Sequence, residues 1–254
     1  MPLLEVQNIS KRFGGLHAVK DVSFVVERGA IKAVIGPNGA GKTTLFNLLS
    51  GFLEPDSGSV VYQARPIHGK SPFEIARRGL SRTFQHIRLF ARMTALENVM
   101  VGCHVRSRSG FLAGMLNLPW TRREERQIRD KALEMMAFLG IETLAGKEAA
   151  SLSYGQQRSV ELARALASGP AILLLDEPAA GLNMRETADV AKLITRVRDL
   201  GITVLIVEHD MQLVMDISDE IVVLSYGEKI ADDVPRAVQT NHEVVRVYLG
   251  EDDA

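Results

Sequence analysis

The sequence predicts an α/β fold, in which a mainly parallel sheet between layers of helices is extended by an antiparallel β portion and a helical insertion. Short runs of β-branched residues alternate with longer helical patterns over much of the chain. The first third departs from this alternation, because it holds several strand-like runs with few helical patterns between them. Helical patterns then dominate from residue 86 to about residue 168, where the alternation resumes.

The strand-like runs of the first third predict the antiparallel β portion. One of them, IKAVI, leads into a glycine-rich stretch and then into the helical apolar pattern of Leu45, Leu48 and Leu49. This run therefore also predicts the first strand of the α/β layer. The runs span residues 3–9, 22–26, 31–35 and 59–62.

The helical insertion is predicted to span residues 86–160, so that residues 1–85 and 161–254 form one core around it, which includes the antiparallel β portion. Capping boxes, in which Ser or Thr is followed three residues later by Glu or Gln, mark its helix starts. The starts are Thr94 with Glu97, Thr121 with Glu124, and Ser153 with Gln156.

An apolar segment of the insertion, residues 107–120, is interrupted by Gly110, Gly114 and Pro119. We interpret it as a surface loop packed on its own side chains, and a docking surface for a partner is the alternative. After the insertion the sequence predicts strands at 172–176, 202–207, 220–224 and 228–231, with a helix near 185–200.

Composition narrows the class of protein. The chain has 254 residues, of which 46% are hydrophobic and 24% charged, as in an ordinary globular protein. A formal net charge of -1 disfavours nucleic acid as a partner. The single cysteine, Cys103, excludes an internal disulfide and cysteine-based metal centres, and it favours a reducing compartment. The N-terminus has no signal-peptide pattern, and no apolar run is long enough to cross a bilayer, so we expect any membrane association to depend on a partner.

The glycine-rich stretch GPNGAGKTT, residues 36–44, has the spacing and the strand-to-helix context of a P-loop. Its glycines allow successive backbone amides to converge on phosphate oxygens. Lys42 would neutralise charge on the outer phosphates, and the Thr43 hydroxyl would bind magnesium. The sequence therefore predicts ATP or another nucleoside triphosphate, with Mg²⁺, as the ligand. A glycine-rich turn without a ligand explains less of this pattern.

The stretch ILLLDE, residues 172–177, is a second element of the same chemistry. Four apolar residues predict a buried strand, and ligands of α/β sheets gather at the carboxyl ends of the strands. Asp176 is therefore expected to hold magnesium. Glu177 is expected to point to the opposite side by strand alternation and to orient or deprotonate the attacking water. The alternative for Glu177 is a solvent-facing acid that opens the next turn.

The stretch LSYGQ, residues 152–156, combines the third capping box with Gly155. A helix start presents unpaired amides and a positive dipole end, so it can bind an anion. Capping and phosphate binding compete for the same Ser153 hydroxyl. We expect capping in the open state and phosphate contact in an ATP-bound dimer.

These stretches resemble, in order and over essentially the whole chain, the motifs of the ATP-binding subunits of ABC transporters. The resemblance implies a P-loop NTPase core of the ABC ATPase type with an antiparallel β portion and a helical subdomain. The motifs are GPNGAGKTT as Walker A, Gln85 as the Q-loop, LSYGQ as the signature, ILLLDE as Walker B, AAGLN at 179–183 as the D-loop, and His209 in VEHD as the switch histidine.

The resemblance implies a role for each matching residue. Glu177, His209 and Gln85 would be catalytic, and Thr43, Gln85 and Asp176 would hold Mg²⁺. Phe13 would stack on adenine, although a core position is its alternative, and the alternative for His209 is a helix start. The ATP-binding residues would be Phe13, Gly36, Pro37, Asn38, Gly39, Ala40, Gly41, Lys42, Thr43 and Thr44 in one chain, with Ser153, Gly155 and Gln156 contacting the ATP of the partner chain.

Two positions depart from the family pattern. Tyr154 stands where glycine is usual in the signature, and Asn183 ends the D-loop where aspartate is usual. Both, with RTFQHIRLF, EPAAGLN and the ending VVRVYLGED, resemble the branch that imports branched-chain amino acids, and specifically the larger of its two ATP-binding subunits. HIRLF, residues 86–90, resembles the groove that receives a coupling helix of a membrane subunit.

The implied assembly comprises a second ATP-binding subunit, two integral membrane permease subunits and, indirectly, a solute-binding protein, with no nucleic acid. The chain would lie peripherally on the cytoplasmic face of the cell membrane. The alternatives are an ATPase for urea or amide uptake or for lipopolysaccharide export, and a soluble ABC ATPase. Soluble relatives need coiled coils, zinc cysteines or a tandem domain, which this sequence lacks.

Overall fold

The computed structural model describes residues 2–106 and 119–249. The chain forms two compact units, one made of Met1–Ile75 with Ala171–Ala254 and the other of Ala76–Pro170. The predicted insertion, 86–160, falls inside the second unit, and its functional boundaries stay a prediction. The interpretation of residues 107–120 as a surface loop rests mainly on 107–118, which lie outside the described residues.

An antiparallel sheet of four strands forms one layer of the first unit. Its spatial order is β2-β1-β4-β5, and all neighbouring strands are antiparallel. The two long strands continue past the predicted runs because one face of an antiparallel sheet can carry polar residues, which hide the strand pattern. The strands are β1 Pro2–Phe13, β2 Leu16–Glu27, β4 Ser57–Tyr62 and β5 Arg65–Pro66.

The second sheet is mainly parallel, and within the first unit its order is β10-β9-β3-β8-β7. The adjacent strands β3, β8 and β7 are buried at every residue, which explains their almost uninterrupted apolar sequences. Val34 of β3 pairs with Val207 of β8, which pairs with Asp176 of β7, so the carboxyl ends of these strands lie side by side. The strands are β3 Ile31–Ile35, β7 Ile172–Asp176, β8 Thr203–Val207, β9 Glu220–Ser225 and β10 Glu228–Asp233.

The remaining helices of the first unit connect these strands. The predicted helix near 185–200 is confirmed, and Asn183 caps it. A short helix, α2, spans the boundary between the units. The helices are α1 Lys42–Leu49, α2 Pro72–Arg77, α6 Met184–Asp199, α7 Met211–Ile217, α8 Pro235–Thr240 and α9 His242–Leu249.

The second unit contains β6 Leu80–Arg82 and the helices α3 Ala95–Cys103, α4 Pro119–Phe138 and α5 Tyr154–Ala167. The capping boxes of Thr94 and Ser153 are both present. The helix start predicted at Thr121 is wrong, because α4 already begins at Pro119, a residue favoured at the first helical position, and Thr121 lies inside the helix. Within the described ranges, no helix is long and apolar enough to span a membrane.

Candidate nucleotide-binding site

The P-loop leaves β3 at Gly36 and ends at Gly41, which precedes α1. Both glycines have positive φ angles, 151° and 99°. A Cβ atom at Gly36 would lie 2.2 Å from the carbonyl oxygen of Leu224, and one at Gly41 would lie 2.2 Å from that of Ala18. The loop is therefore fixed between β9 and β2 by close backbone approaches that only glycine permits.

Lys42 is held at the centre of this loop. Its side chain is buried, and its ammonium donates hydrogen bonds to the carbonyl oxygens of Gly36, at 2.6 Å, and Pro37, at 2.9 Å. Burial lowers the pKa of Lys42, and the nearby charges of Glu177 and Asp176 oppose that shift. The loop thus presents a partly desolvated cation, which interacts more strongly with phosphate than a solvated one would.

The two acids of ILLLDE lie at the end of β7. Asp176 is its last residue and is 4% exposed. Glu177 has a left-handed backbone, with φ 48°, and its N–H donates to the carbonyl of Val207 at 2.9 Å. The chain turns at Glu177, so the argument from strand alternation does not apply. The charges of both carboxylates raise the pKa of Lys42, against the effect of its burial.

The residues at this edge fit magnesium. Asp176 supplies a buried carboxylate, and Thr43 lies exposed in the first turn of α1. Mg²⁺ is typically held by one or two protein oxygens together with phosphate oxygens and water. The part of the chain that the structure describes has no cluster of three or more His, Cys, Asp or Glu side chains suited to a metal. Asp176 and Thr43 therefore fit the one or two protein oxygens that such an ion needs beside a triphosphate.

His209 follows β8, the strand between β3 and β7. Its side chain is 61% exposed. The helix start, which was the alternative role for His209, belongs to its neighbour Asp210, whose carboxylate accepts the N–H of Leu213 at 3.1 Å. His209 is therefore left at the same sheet edge as the P-loop, Asp176 and Glu177.

Sequence reasoning missed Glu208, which precedes His209. Its side chain is wholly buried. It accepts backbone hydrogen bonds from the turn after β7, at Ala179, and from the turn after β8, at His209. The signal was present, because TVLIVE repeats the pattern of ILLLDE, an apolar strand that ends in an acid.

Phe13 ends β1 and is 48% exposed, so the alternative of a core residue is wrong. The ammonium of Lys11 lies 5.9 Å from the centre of its ring. Phe13 pairs with Leu16 across the hairpin, and Ala18, two residues further on, contacts Gly41. An exposed aromatic ring is therefore carried by the hairpin that packs on the P-loop.

The other predicted site residues belong to the second unit. Ser153 caps α5 by accepting the N–H of Gln156 at 3.4 Å, while the Gln156 side chain accepts the N–H of Ser153 at 3.1 Å. The hydroxyl of Tyr154 accepts hydrogen bonds from Arg158, one turn along the helix. A Cβ atom at Gly155 would meet nothing within 4 Å. Capping by Ser153 is confirmed, whereas its phosphate contact and the roles of Gly155, Gln156 and Gln85 stay predictions.

Comparison with protein families shows which family the chain belongs to. A family model described as "ABC transporter" matches residues 19–180, more than half of the chain. The chain belongs to the ABC transporter family. As an ABC ATPase it binds nucleotide and hydrolyses ATP, so the predicted fold class and the predicted enzyme class are confirmed. A second model, "Branched-chain amino acid ATP-binding cassette transporter", matches residues 228–254 of this ABC ATPase.

Similar proteins agree with this membership. A Pseudomonas aeruginosa protein named "High-affinity branched-chain amino acid transport ATP-binding protein BraF" is 46% identical to this ABC ATPase over 98% of each chain. An ATP-binding cassette of an ABC transporter in its ADP conformation has a TM-score of 0.85 and 34% identity, and the match covers 99% of this chain and 100% of that one. A dimeric bacterial ABC transporter cassette has a TM-score of 0.78 and 26% identity, over 92% and 99% of the two chains.

Proposed function

We propose that this chain powers the uptake of branched-chain amino acids as an ATP-hydrolysing subunit of an ABC importer. The observation that carries the proposal is the 46% identity over 98% of both chains to a protein named for that transport. The match of residues 228–254 to a branched-chain amino acid cassette model supports the same branch. The substrate of the transporter would be selected by the other subunits, and this chain would supply the energy.

The geometry supports a direct route for hydrolysis. Water attacks the γ-phosphorus of ATP, its proton passes to Glu177, and the bond to the β-phosphate oxygen breaks to give ADP and phosphate. Lys42 stabilises the negative charge that spreads over the phosphate oxygens. His209 contacts the γ-phosphate and keeps the attacking water in place beside Glu177.

Thr43 and Asp176, with Gln85, would hold Mg²⁺ in this proposal. The ion would neutralise charge on the β- and γ-phosphate oxygens. The buried position of Asp176 supports this assignment, because a carboxylate that is 4% exposed gains stability from a nearby cation.

The proposed assembly is a pair of ATP-binding subunits, as in the related dimeric cassette. Ser153, Gly155 and Gln156 would contact the γ-phosphate of the ATP on the partner chain. Each γ-phosphate would then bridge two protein surfaces, so its loss would remove the preference for the closed state. Two membrane permease subunits would receive this motion at the cytoplasmic face of the membrane, and a solute-binding protein would deliver the substrate.

The test of the catalytic site is Glu177→Gln. We expect ATP hydrolysis to fall by about 10²-fold or more while ATP still binds, because the amide keeps the size of the side chain but cannot take up the proton. Glu134→Gln, an exposed substitution on α4, is the matched control and should leave hydrolysis unchanged. Full activity of the Glu177 variant would refute its assigned role.

The test of the transport function is uptake by cells that lack this chain. Loss of leucine, isoleucine and valine uptake, restored by the wild-type chain and not by Glu177→Gln, is the expected result. Copurification with two membrane proteins would support the proposed assembly. Normal branched-chain uptake with loss of urea or amide uptake would assign the chain to another branch of the family.

A further inference from the structure

Glu208 is a buried acid that the hydrolysis scheme above does not use. Its side chain is 0% exposed. One carboxylate oxygen accepts the backbone N–H of Ala179 at 2.7 Å. The other accepts the backbone N–H of His209 at 3.0 Å and that of Asp210 at 3.4 Å.

These hydrogen bonds join two turns that belong to different strands. Ala179 lies in the turn after β7, two residues beyond Glu177, and His209 lies in the turn after β8. A backbone hydrogen bond from the N–H of Glu177 to the carbonyl of Val207 also ties the turn after β7 to the last residue of β8. Glu177 therefore lies two residues from an amide that is bonded to Glu208, and His209 donates its own amide N–H to Glu208.

A purely structural role is the simpler explanation, since buried acids are normally hydrogen-bonded. Desolvation of a carboxylate is costly, and hydrogen bonds from three backbone amides offset part of that cost. A turn that needed only stability could use a neutral side chain at lower cost. Glu208 joins the turns that carry the two side chains proposed to act on the same phosphate, and a structural role leaves that choice of turns unexplained.

We propose that Glu208 is a positioning residue, which fixes Glu177 and His209 relative to each other so that both meet the γ-phosphate and the attacking water together. The inference rests on the catalytic roles proposed above for these two residues. It adds that the two turns behave as one body, held by one carboxylate. A misplacement of about 1 Å in a catalytic group can cost about 10²-fold in rate, so such a clamp matters more for turnover than for binding.

The test compares Glu208→Ala and Glu208→Gln with the wild-type chain. Alanine removes both acceptors, whereas glutamine keeps one acceptor and turns an N–H group toward a backbone N–H. We expect kcat for ATP hydrolysis to fall by about 10- to 100-fold for the alanine variant and by less for the glutamine variant. The Kd for ATP should change by less than about threefold, because Lys42 and the P-loop are untouched.

Thr203→Val is the matched control. Thr203 is wholly buried at the other end of β8, and its hydroxyl accepts the backbone N–H of Gly29 at 2.8 Å. The substitution removes a buried hydrogen bond to a backbone amide from the same strand, away from the turns. It should lower the denaturant midpoint of unfolding and leave kcat unchanged.

The outcomes separate this inference from the catalytic assignments. If Glu177→Gln and His209→Ala keep full activity, the assignments themselves fail. If those variants are inactive but Glu208→Ala resembles Thr203→Val, with reduced stability and a normal kcat, the positioning role alone is overturned. A variant of Glu208 that does not fold is replaced by Glu208→Gln, for which a normal kcat also overturns the proposal.

A double variant tests whether Glu208 acts through His209. If it does, Glu208→Ala should reduce kcat less in a chain that already carries His209→Ala than in the wild-type chain. If the fold-losses in kcat of the two single variants multiply in the double variant, Glu208 and His209 act independently. The proposal that Glu208 positions His209 would then be rejected.

Discussion

At the scale of single residues, two helical glycines of the second unit have opposite surroundings. A Cβ atom at Gly102 of α3 would lie 2.0 Å from the carbonyl oxygen of Arg164 of α5, whereas one at Gly155 would meet nothing. Gly102 is therefore required by the close approach of two helices. Gly155 has no such reason in the folded chain, so a requirement for it must come from outside the chain.

The two alanine substitutions should separate these reasons. Gly102→Ala should lower the free energy of unfolding by about 1–3 kcal/mol through overpacking. Gly155→Ala should leave it unchanged or raise it by up to about 1 kcal/mol, since alanine favours the helix. ATP turnover should nevertheless fall in Gly155→Ala if the signature closes on the partner's ATP. Urea unfolding and an ATPase assay measure both, and normal turnover of Gly155→Ala would contradict the signature contact.

Asn183, where the family usually has aspartate, also has a visible local role. Its side chain accepts the N–H groups of Arg185 and Glu186 at 3.0 and 3.1 Å, so it caps α6. Aspartate caps equally well, whereas alanine does not. We expect Asn183→Ala to cost about 1 kcal/mol in urea unfolding and Asn183→Asp to cost nothing measurable. A large decrease in the free energy of unfolding of Asn183→Asp would show that capping is not the role of Asn183.

At the scale of elements, Asn98 of α3 holds the segment before its own helix. It is wholly buried, its carbonyl oxygen accepts the N–H of Phe90 at 2.8 Å, and its amide donates to the carbonyls of Phe90, Met93 and Thr94. These hydrogen bonds fix the backbone at Phe90, the last residue of HIRLF, which is 53% exposed.

Removal of the Asn98 side chain should lower the stability of the protein. Asn98→Ala leaves the buried backbone groups of the segment without their partner, and we expect it to lower the free energy of unfolding by about 1–3 kcal/mol. Gln127→Ala, an exposed amide on α4, is the control and should stay within about 0.5 kcal/mol of wild type. Equal stabilities of the two variants would contradict this account.

The helix α5 holds the same segment from another side. A carboxylate oxygen of Glu161 accepts the N–H of Arg88 at 3.2 Å, and the guanidinium of Arg164 donates to the Arg88 carbonyl at 2.6 Å. Burial raises the pKa of Glu161, although Arg88 and Arg164 oppose that shift. The helix that begins with the signature is thus fastened to the segment that follows Gln85.

This pKa shift predicts a pH dependence. An acid whose pKa is raised in the folded state contributes most to stability below its ordinary pKa, and that contribution is lost as pH rises through the folded-state pKa. The free energy of unfolding of the wild type, relative to Glu161→Gln, should therefore decrease as pH rises from about 4 upward. Urea unfolding of both chains over that range measures it, and a parallel pH profile would contradict the shift.

At the scale of the whole molecule, assembly provides the decisive measurement. In a Glu177→Gln chain, ATP should produce a stable dimer, detectable by light scattering, because the γ-phosphate is retained. Addition of Gly155→Asp should abolish the dimer without abolishing ATP binding, since a carboxylate would face the partner's phosphate. If the native pair contains two different chains, the same result is expected with the partner subunit present.

Much of this molecule was predictable because its chemistry depends on local sequence. The P-loop and the buried strands ending in Asp176 and Val207 follow from glycine spacing and apolar runs, and the cap of Ser153 follows from a four-residue pattern. The exposure of Phe13 and the clamp of Glu208 did not follow, because each depends on which strands become neighbours. Strand alternation also failed at Glu177, where a left-handed residue turns the chain.

The close approach of Gly36 to the carbonyl of Leu224 has a consequence for biosynthesis. The phosphate loop leaves the ribosome long before β9, because Leu224 follows Gly36 by 188 positions (224 minus 36). Both parallel neighbours of β3, namely β8 and β9, are also made late. A nascent chain that ends before residue 225 should therefore lack a formed nucleotide pocket, which delays ATP capture until translation is nearly complete.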